Sequence, residues 1–443
     1  MGWVRQTAAR VGLATVAAGV LGIALPTAAS AHADFVSSDP SSGQVVAGAP
    51  RSVTLTFSEP VEVAPEAVKV YDDSLTELGK GNVASPVGHP DQLQLRLPAG
   101  LSAGTYVVVW QVAASDTHPV AGTFRFSIDA ASTVKGTAPG LGRNDTAGFL
   151  LALLRWAGYA GLVLGPGLLV VCLLLWPETL ADRRVRRLLG AGLGVLLVST
   201  VGGMALQGVW AADRPLAALL NDPSSLDSHS RRFDQVYALR TYAVLAFAGV
   251  LWAVLWTASG RRRSVGALGA VVAAALALTW PLVGHASTGT WVALSVVVNL
   301  VHTGAMMLWL AGLVLVVVGL AGGVARFPQF LPRFSTLAFV AVSILVVTGT
   351  LMSWREVGSF AALTGTTYGK VLLVKLVLVV LLLALGNLAR TRVRSPSVRP
   401  DAVDDSAGAL RRGVGLELLL SAVVLSLTSA LVVLVPAGQA ITR

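Results

Sequence analysis

The sequence predicts an N-terminal signal peptide, then an all-β immunoglobulin-like sandwich, then an α-helical polytopic membrane bundle of eight transmembrane helices. Three observations predict this architecture: a basic, apolar leader that ends in A-x-A, period-two alternation over the next hundred residues, and eight apolar runs of membrane-spanning length in the remainder. A chain of 443 residues that is 54% hydrophobic and only 13% charged is not a soluble globule.

The leader occupies residues 1–31. Arg5 and Arg10 form its positive start, "VGLATVAAGVLGIAL" (11–25) its apolar stretch, and Pro26 breaks the helix. Ala29-Ser30-Ala31 is a cleavage site that would expose His32 as the first mature residue. Ala31-His32-Ala33 offers a second frame, which would discard the histidine. An N-terminal histidine joins a free α-amine to an imidazole, and the two together chelate metal.

Residues 32–129 form the sandwich domain. Val53, Leu55 and Phe57 alternate with polar neighbours, as do Leu93, Leu95 and Leu97, and then Phe124, Phe126 and Ile128. "TYVVVWQV" (105–112) is apolar on both faces and reads as a central strand. Gly, Pro, Asp and Ser punctuate these runs, as in a small antiparallel sandwich. Residues 130–146, "AASTVKGTAPGLGRNDT", read as a linker.

Residues 147–443 form the membrane domain. Its apolar runs lie near 147–176, 188–211, 238–258, 264–284, 291–320, 334–354, 370–389 and 414–436. The net charge of +10 is unevenly spread: residues 32–129 carry five basic against eleven acidic groups, and the membrane domain holds the basic excess. That excess sits in alternate short loops, at Arg183–Arg187, Arg261–Arg263, Arg326–Arg333 and Arg390–Arg412, which places those loops inside and the β domain outside the plasma membrane. The basic balance therefore belongs to lipid topology, not to nucleic acid. Gly161-xxx-Gly165 permits close helix contact. The single cysteine, Cys172, lies in an apolar run, where it packs, so no intrachain disulfide exists.

Two groups of residues suggest metal chemistry. In "SDTHPVAGTFRF" (115–126), Asp116 and His118 are two apart and leave an extended chain on one face. With His32 they supply nitrogen and carboxylate donors that suit Cu(II). The plainer reading of Asp116 and His118 is a turn before Pro119. His89 and His229 read as loop histidines.

Within the spans, His302 lies eleven residues after Trp291, about 16 Å along a helix, with Met306 one turn later on the same face. His285 ends the fourth span, while Met204 and Met352 fall toward the outer ends of the second and sixth. Imidazole and thioether are copper donors, thioether favouring Cu(I). The plainer reading is that methionine fills gaps and His302 bonds a neighbouring helix. Asn387, Arg390 and Glu417 read as a polar, salt-bridged anchor on the inner side.

His32, "LTFSEPVE" (55–62) and "SDTHPVAGTFRF" resemble the CopC family of periplasmic copper-resistance sandwiches. "HTGAMMLWLAG" and "TTYGKVLLVKLVLVVLLLALGN" (366–387) resemble CopD, so the whole chain is similar to a CopC–CopD fusion. The resemblance implies Cu(II) ligation by His32, Asp116 and His118, and so favours cleavage after Ala31. It also implies a role in copper transport, homeostasis and resistance, in the direction of uptake, without enzymatic activity. Residues 32–146 contain no methionine, which departs from the methionine-rich Cu(I) site of some CopC proteins. No G-x-x-x-x-G-K-[ST] motif supports ATP drive. Copper ions and the bilayer are the expected partners; a copper chaperone or reductase is not identified. The competing expectation is a haem- or copper-dependent membrane redox enzyme built on His285 and His302.

Overall fold

The computed structural model describes residues 35–62, 67–78, 83–114, 119–135, 145–211, 215–221, 231–256, 262–287, 291–322, 327–357, 359–394 and 403–434. The leader, His32, Asp116, His118 and His229 lie outside the described residues.

The first part is a two-sheet sandwich. One sheet has the order β1 (Phe35–Asp39), β3 (Ser52–Phe57), β8 (Gln92–Arg96), β7 (Val83–Ala84). The other runs β2 (Val45–Val46), β10 (Pro119–Ile128), β9 (Gly104–Ala114), β5 (Val68–Tyr71), β6 (Glu77–Leu78), with β4 (Val61–Glu62) also on β9. The alternating residues are buried as the period requires: Val53, Leu55, Phe57, Leu93, Leu95, Phe124, Phe126 and Ile128 all enter one core.

Strand β9 is central, paired with β10 along one edge and with β5 and β4 along the other. Its second apolar face, Val107 and Val109, packs with Tyr71, Leu75 and Val134. Val134 belongs to the segment read as linker, whose first residues are fastened to the sheet. Thr105 N–H donates to Ser132 Oγ at 2.8 Å, Ser132 N–H returns a bond to Thr105 Oγ1 at 2.9 Å, and Lys135 N–H reaches the Asp73 carbonyl at 2.8 Å.

Each apolar run then becomes a helix. The first is α1 (Asp145–Leu162), a π-turn (Val163–Gly167) around Pro166, and α2 (Leu168–Leu175). Proline has no N–H to give, and the wider turn absorbs the loss. Then come α3 (Arg183–Ala211), α4 (Arg231–Trp256), α5 (Arg262–Leu278), α6 (Val292–Gly322), α7 (Phe327–Val357), α8 (Thr367–Arg394) and α9 (Val403–Val433).

Seven of the eight segments are long and apolar enough to cross a membrane; the fourth is not. Its apolar helix spans only Val265–Leu278, about 21 Å against a hydrocarbon core of about 30 Å. Helix α5 stops there because Thr279 turns its hydroxyl onto the Leu276 carbonyl at 2.7 Å and Pro281 follows. The chain continues through turns to Gly284 at φ +118°, a conformation that needs glycine.

Packing is uneven along the bundle. In the apolar 18-residue stretch within Thr146–Leu175 61% is buried, whereas in that within Thr367–Leu388 only 11% is. The tight part rests on glycine: a Cβ on Gly192 of α3 would lie 2.4 Å from the Gly165 backbone nitrogen, so the two chains touch directly. Gly161 meets Leu196 in the same contact, as the Gly161-xxx-Gly165 spacing predicts.

Candidate functional site

The sandwich gathers its sequence-predicted motifs at one end. Phe35 pairs with Phe57 at the finish of β3, and four residues later Val61 pairs with Ala114, the last residue of β9. The connection 115–118, which carries Asp116 and His118, joins Ala114 to Pro119 at this same end. Residue 32 precedes Phe35 by three positions and lies outside the described residues. Glu59 lies half-buried in the β3–β4 turn there. The sequence motif contained this carboxylate, but the reading gave it no role.

Aromatic stacking holds the arrangement. The Phe35 ring stacks on Trp110 at 5.4 Å and Phe124 at 6.0 Å, and Phe57 meets Trp110 edge-on at 5.3 Å. Trp110 in turn lies over Gly122, its cross-strand partner, where a Cβ would fall 2.5 Å from Trp110 Cζ2. His89 is exposed in a loop, as expected, although Asp91 and Pro90 of that loop accept bonds from Phe57 and Val61 N–H at the same end.

In the bundle, a cavity of 770 Å³ opens between α6, α7, α8 and α9 and reaches α1. His302, Met306 and Met352 all line it. Met306 is 8% exposed. Met204, on α3, is 40% exposed and is not among the lining residues. His285 opens a short 3₁₀ turn (His285–Ser287) whose Gly284 and Ala286 line the cavity; its side chain lies outside the described residues.

The hydrogen bonding of His302 defines its tautomer. Nδ1 is 2.8 Å from Thr348 Oγ1. The Thr348 hydroxyl has one proton, and it donates that proton to the Ile344 carbonyl at 2.6 Å. Thr348 Oγ1 therefore accepts from Nδ1–H, which leaves Nε2 with its lone pair, the form that binds a metal. Gly349 gives the ring room, since a Cβ there would stand 3.4 Å from His302 Cε1.

Among the described residues no group of three or more His, Cys, Asp or Glu side chains is placed to hold an ion. His302 supplies an imidazole nitrogen to the cavity lining, and Met306 and Met352 supply thioether sulfur. The cavity is more charged than the sequence reading foresaw. Lys375, Arg155, Arg355, Glu356 and Glu417 line it as well. Arg355 bonds the Ser295 hydroxyl. Lys375 sits inside the CopD-like segment 366–387, within an apolar run. Of the expected anchor, Asn387 and Glu417 line the cavity; the Arg390 side chain lies outside the described residues.

Beside the cavity, Arg240 is 4% exposed, with Nε donating to Thr279 Oγ1 at 3.0 Å and Nη2 to the Thr279 carbonyl at 2.8 Å. Its guanidinium also lies over the Tyr237 and Trp280 rings at 4.4 Å and 4.1 Å. It pins the turn that shortens α5.

Three family models match the chain: CopC domain at residues 35–129, Copper resistance protein D-like, N-terminal domain at 145–293, and Copper resistance protein D at 328–431. Copper transport protein CutJ of Bacillus subtilis is 25% identical over 388 residues, spanning 82% of this chain and 68% of that protein. Copper resistance protein C of Pseudomonas syringae pv. tomato is 34% identical over 117 residues, 25% of this chain and 90% of that one. The crystal structure of CopC from Methylosinus trichosporium OB3b aligns at 32% identity and a TM-score of 0.21, over 22% of this chain and 94% of that one.

Proposed function

This chain is a CopC–CopD fusion of the copper-resistance family, and from that premise we propose that it captures Cu(II) outside the cell membrane and carries copper inward. The leader is removed after Ala31. His32, through amine and imidazole, and His118 ligate Cu(II), with Asp116 as a weak oxygen ligand or as the group that orients His118. The convergence of β1, the β3–β4 turn and the 115–118 connection at one end of the sandwich supports this set. His285, beside the cavity-lining Gly284, takes copper from the sandwich and passes it to His302 and Met306, with Met352 as a further sulfur.

One observation carries the membrane half of this reading: Thr348 fixes the Nδ1–H tautomer of His302, so Nε2 is a ready ligand in a cavity that also holds two thioethers. The same bond ties α6 to α7, so the copper reading rests on the lone pair it leaves on Nε2 and on the two sulfurs lining the cavity.

The test is copper accumulation, by mass spectrometry, in cells expressing wild type or His302→Ala. Loss of copper-dependent accumulation, with protein level and the Cu(II) electron paramagnetic resonance signal of the sandwich intact, supports the path. Normal accumulation in the variant returns His302 to the core. His118→Ala should change that resonance signal, while His89→Ala should not. A mature chain beginning at Asp34 by intact mass would remove the amine–imidazole chelate and sink the outer site.

A further inference from the structure

Glu417 of α9 is 4% exposed and lines the same cavity as His302. Among the described residues its carboxylate has no hydrogen-bond or ion-pair partner; the bond its residue accepts, from Ser421 Oγ at 2.7 Å, goes to the backbone carbonyl. Val357, Tyr368 and Leu431 close one end of the bundle together. Counted from that end, Thr348 lies about 14 Å along α7, Lys375 about 10 Å along α8 and Glu417 about 21 Å along α9. Glu417 is thus a step deeper than His302 and too far from Lys375 for a salt bridge.

A buried carboxylate charge without a partner is costly, and either a proton or a cation cancels it. A hard divalent ion needs six or more oxygen ligands, and a soft Cu(I) needs sulfur or nitrogen; one carboxylate supplies neither. The proton is the occupant that fits.

The charges that share the cavity give this proton a role. Lys375 of α8, Arg155 of α1, Arg355 and Glu356 of α7 and His302 of α6 line the same cavity as Glu417. With Glu417 protonated, Lys375, Arg155 and Arg355 stand against the single carboxylate of Glu356; ionising Glu417 adds a second negative charge, which offsets the charge of an arriving monovalent copper ion.

Resting on the copper path above, we infer that Glu417 is a proton-exchange site, which releases one proton from the cavity for each monovalent copper ion that binds at His302. The O–H bond of the carboxyl breaks, the proton passes to water, the carboxylate becomes the counter-charge of the ion, and no electron moves.

The test uses detergent-solubilised full-length protein and Ag+ as a redox-inert substitute for Cu(I), in weak buffer with a pH indicator. Bound Ag+ and released protons are measured for wild type, Glu417→Gln and His302→Ala. At saturating Ag+, Glu417→Gln should fill its site while releasing about one proton fewer per protein than wild type, and it should need more Ag+ to reach saturation because the counter-charge is gone. Equal proton release from the two would overturn the inference. Equal Ag+ binding by His302→Ala and wild type would instead overturn the copper path, and this inference with it. In the wild type itself, dicyclohexylcarbodiimide, which attacks protonated carboxyls in apolar surroundings, should label Glu417 in peptide mass analysis, and Ag+ should protect it. Absent labelling, or labelling indifferent to Ag+, overturns the inference even if the Gln variant does not fold.

Discussion

Replacing Thr348 by valine keeps the shape of the side chain and removes only the oxygen that accepts from His302 Nδ1–H at 2.8 Å. Two consequences follow. The buried N–H loses its acceptor, which costs about 1–3 kcal/mol if nothing replaces it. The imidazole is also freed to carry its proton on Nε2, where it blocks metal binding. Removing the outer partner of a ligating histidine typically costs 10–100-fold in metal affinity, or about 1.4–2.7 kcal/mol. Thr348→Val should therefore weaken Ag+ binding by that factor in a competition titration against a chelator, with the signal of His302→Ala subtracted to isolate the membrane site. Thr348→Ser keeps the oxygen and should stay within about threefold of wild type, an allowance for the lost methyl. Full affinity in Thr348→Val, beside lost binding in His302→Ala, would refute the tautomer argument while leaving His302 a ligand.

Other substitutions probe the remaining parts. Gly122→Ala drives a methyl to 2.5 Å from Trp110 Cζ2 and should destabilise the sandwich by about 1–3 kcal/mol in denaturant melts followed by tryptophan fluorescence. Gly192→Ala sets a Cβ 2.4 Å from the backbone of Gly165, where no side chain can yield, and should lower the amount of folded protein in detergent far more than Gly190→Ala, whose Cβ meets nothing within 4 Å. Met306→Leu should lower copper accumulation partially, because volume is kept and sulfur is lost. Met204→Leu, on a 40% exposed position away from the cavity, should accumulate copper as wild type does.

Periodic features were readable because one residue's neighbours in sequence are enough to reveal them. Alternation marked the inward faces of β3, β8 and β10, and the doubly apolar "TYVVVWQV" marked β9 as central, since both its faces are covered. The Gly161–Gly165 contact followed from spacing alone. The length of the fourth helix did not, because the sequence stays apolar past Thr279 and Pro281, where the helix ends, and Arg240 holds that turn from another helix, 39 residues away. The second nitrogen of His302 was equally invisible: its partner Thr348 is 46 residues distant, and threonine is common in apolar helices. Lys375 and Glu417 were hidden for a different reason. A single charge within an apolar run looks like an interfacial anchor until the surrounding helices show a cavity in front of it.

The fastening of Ser132 and Lys135 to the sheet has a consequence for how the two halves cooperate. From Lys135 to Asp145 the chain takes ten Cα steps, at most about 35 Å when fully extended. A metal ion still held on the sandwich is thus never farther than that tether from the first helix, apart from the width of the domain itself. A loaded donor site confined to such a radius is present at a local concentration in the millimolar range. Wherever free copper is scarcer than that, a weak acceptor at the cavity mouth is filled by its own tethered donor before any ion arrives by diffusion. Covalent fusion of the two domains therefore raises supply to the bundle without requiring either metal site to bind more tightly.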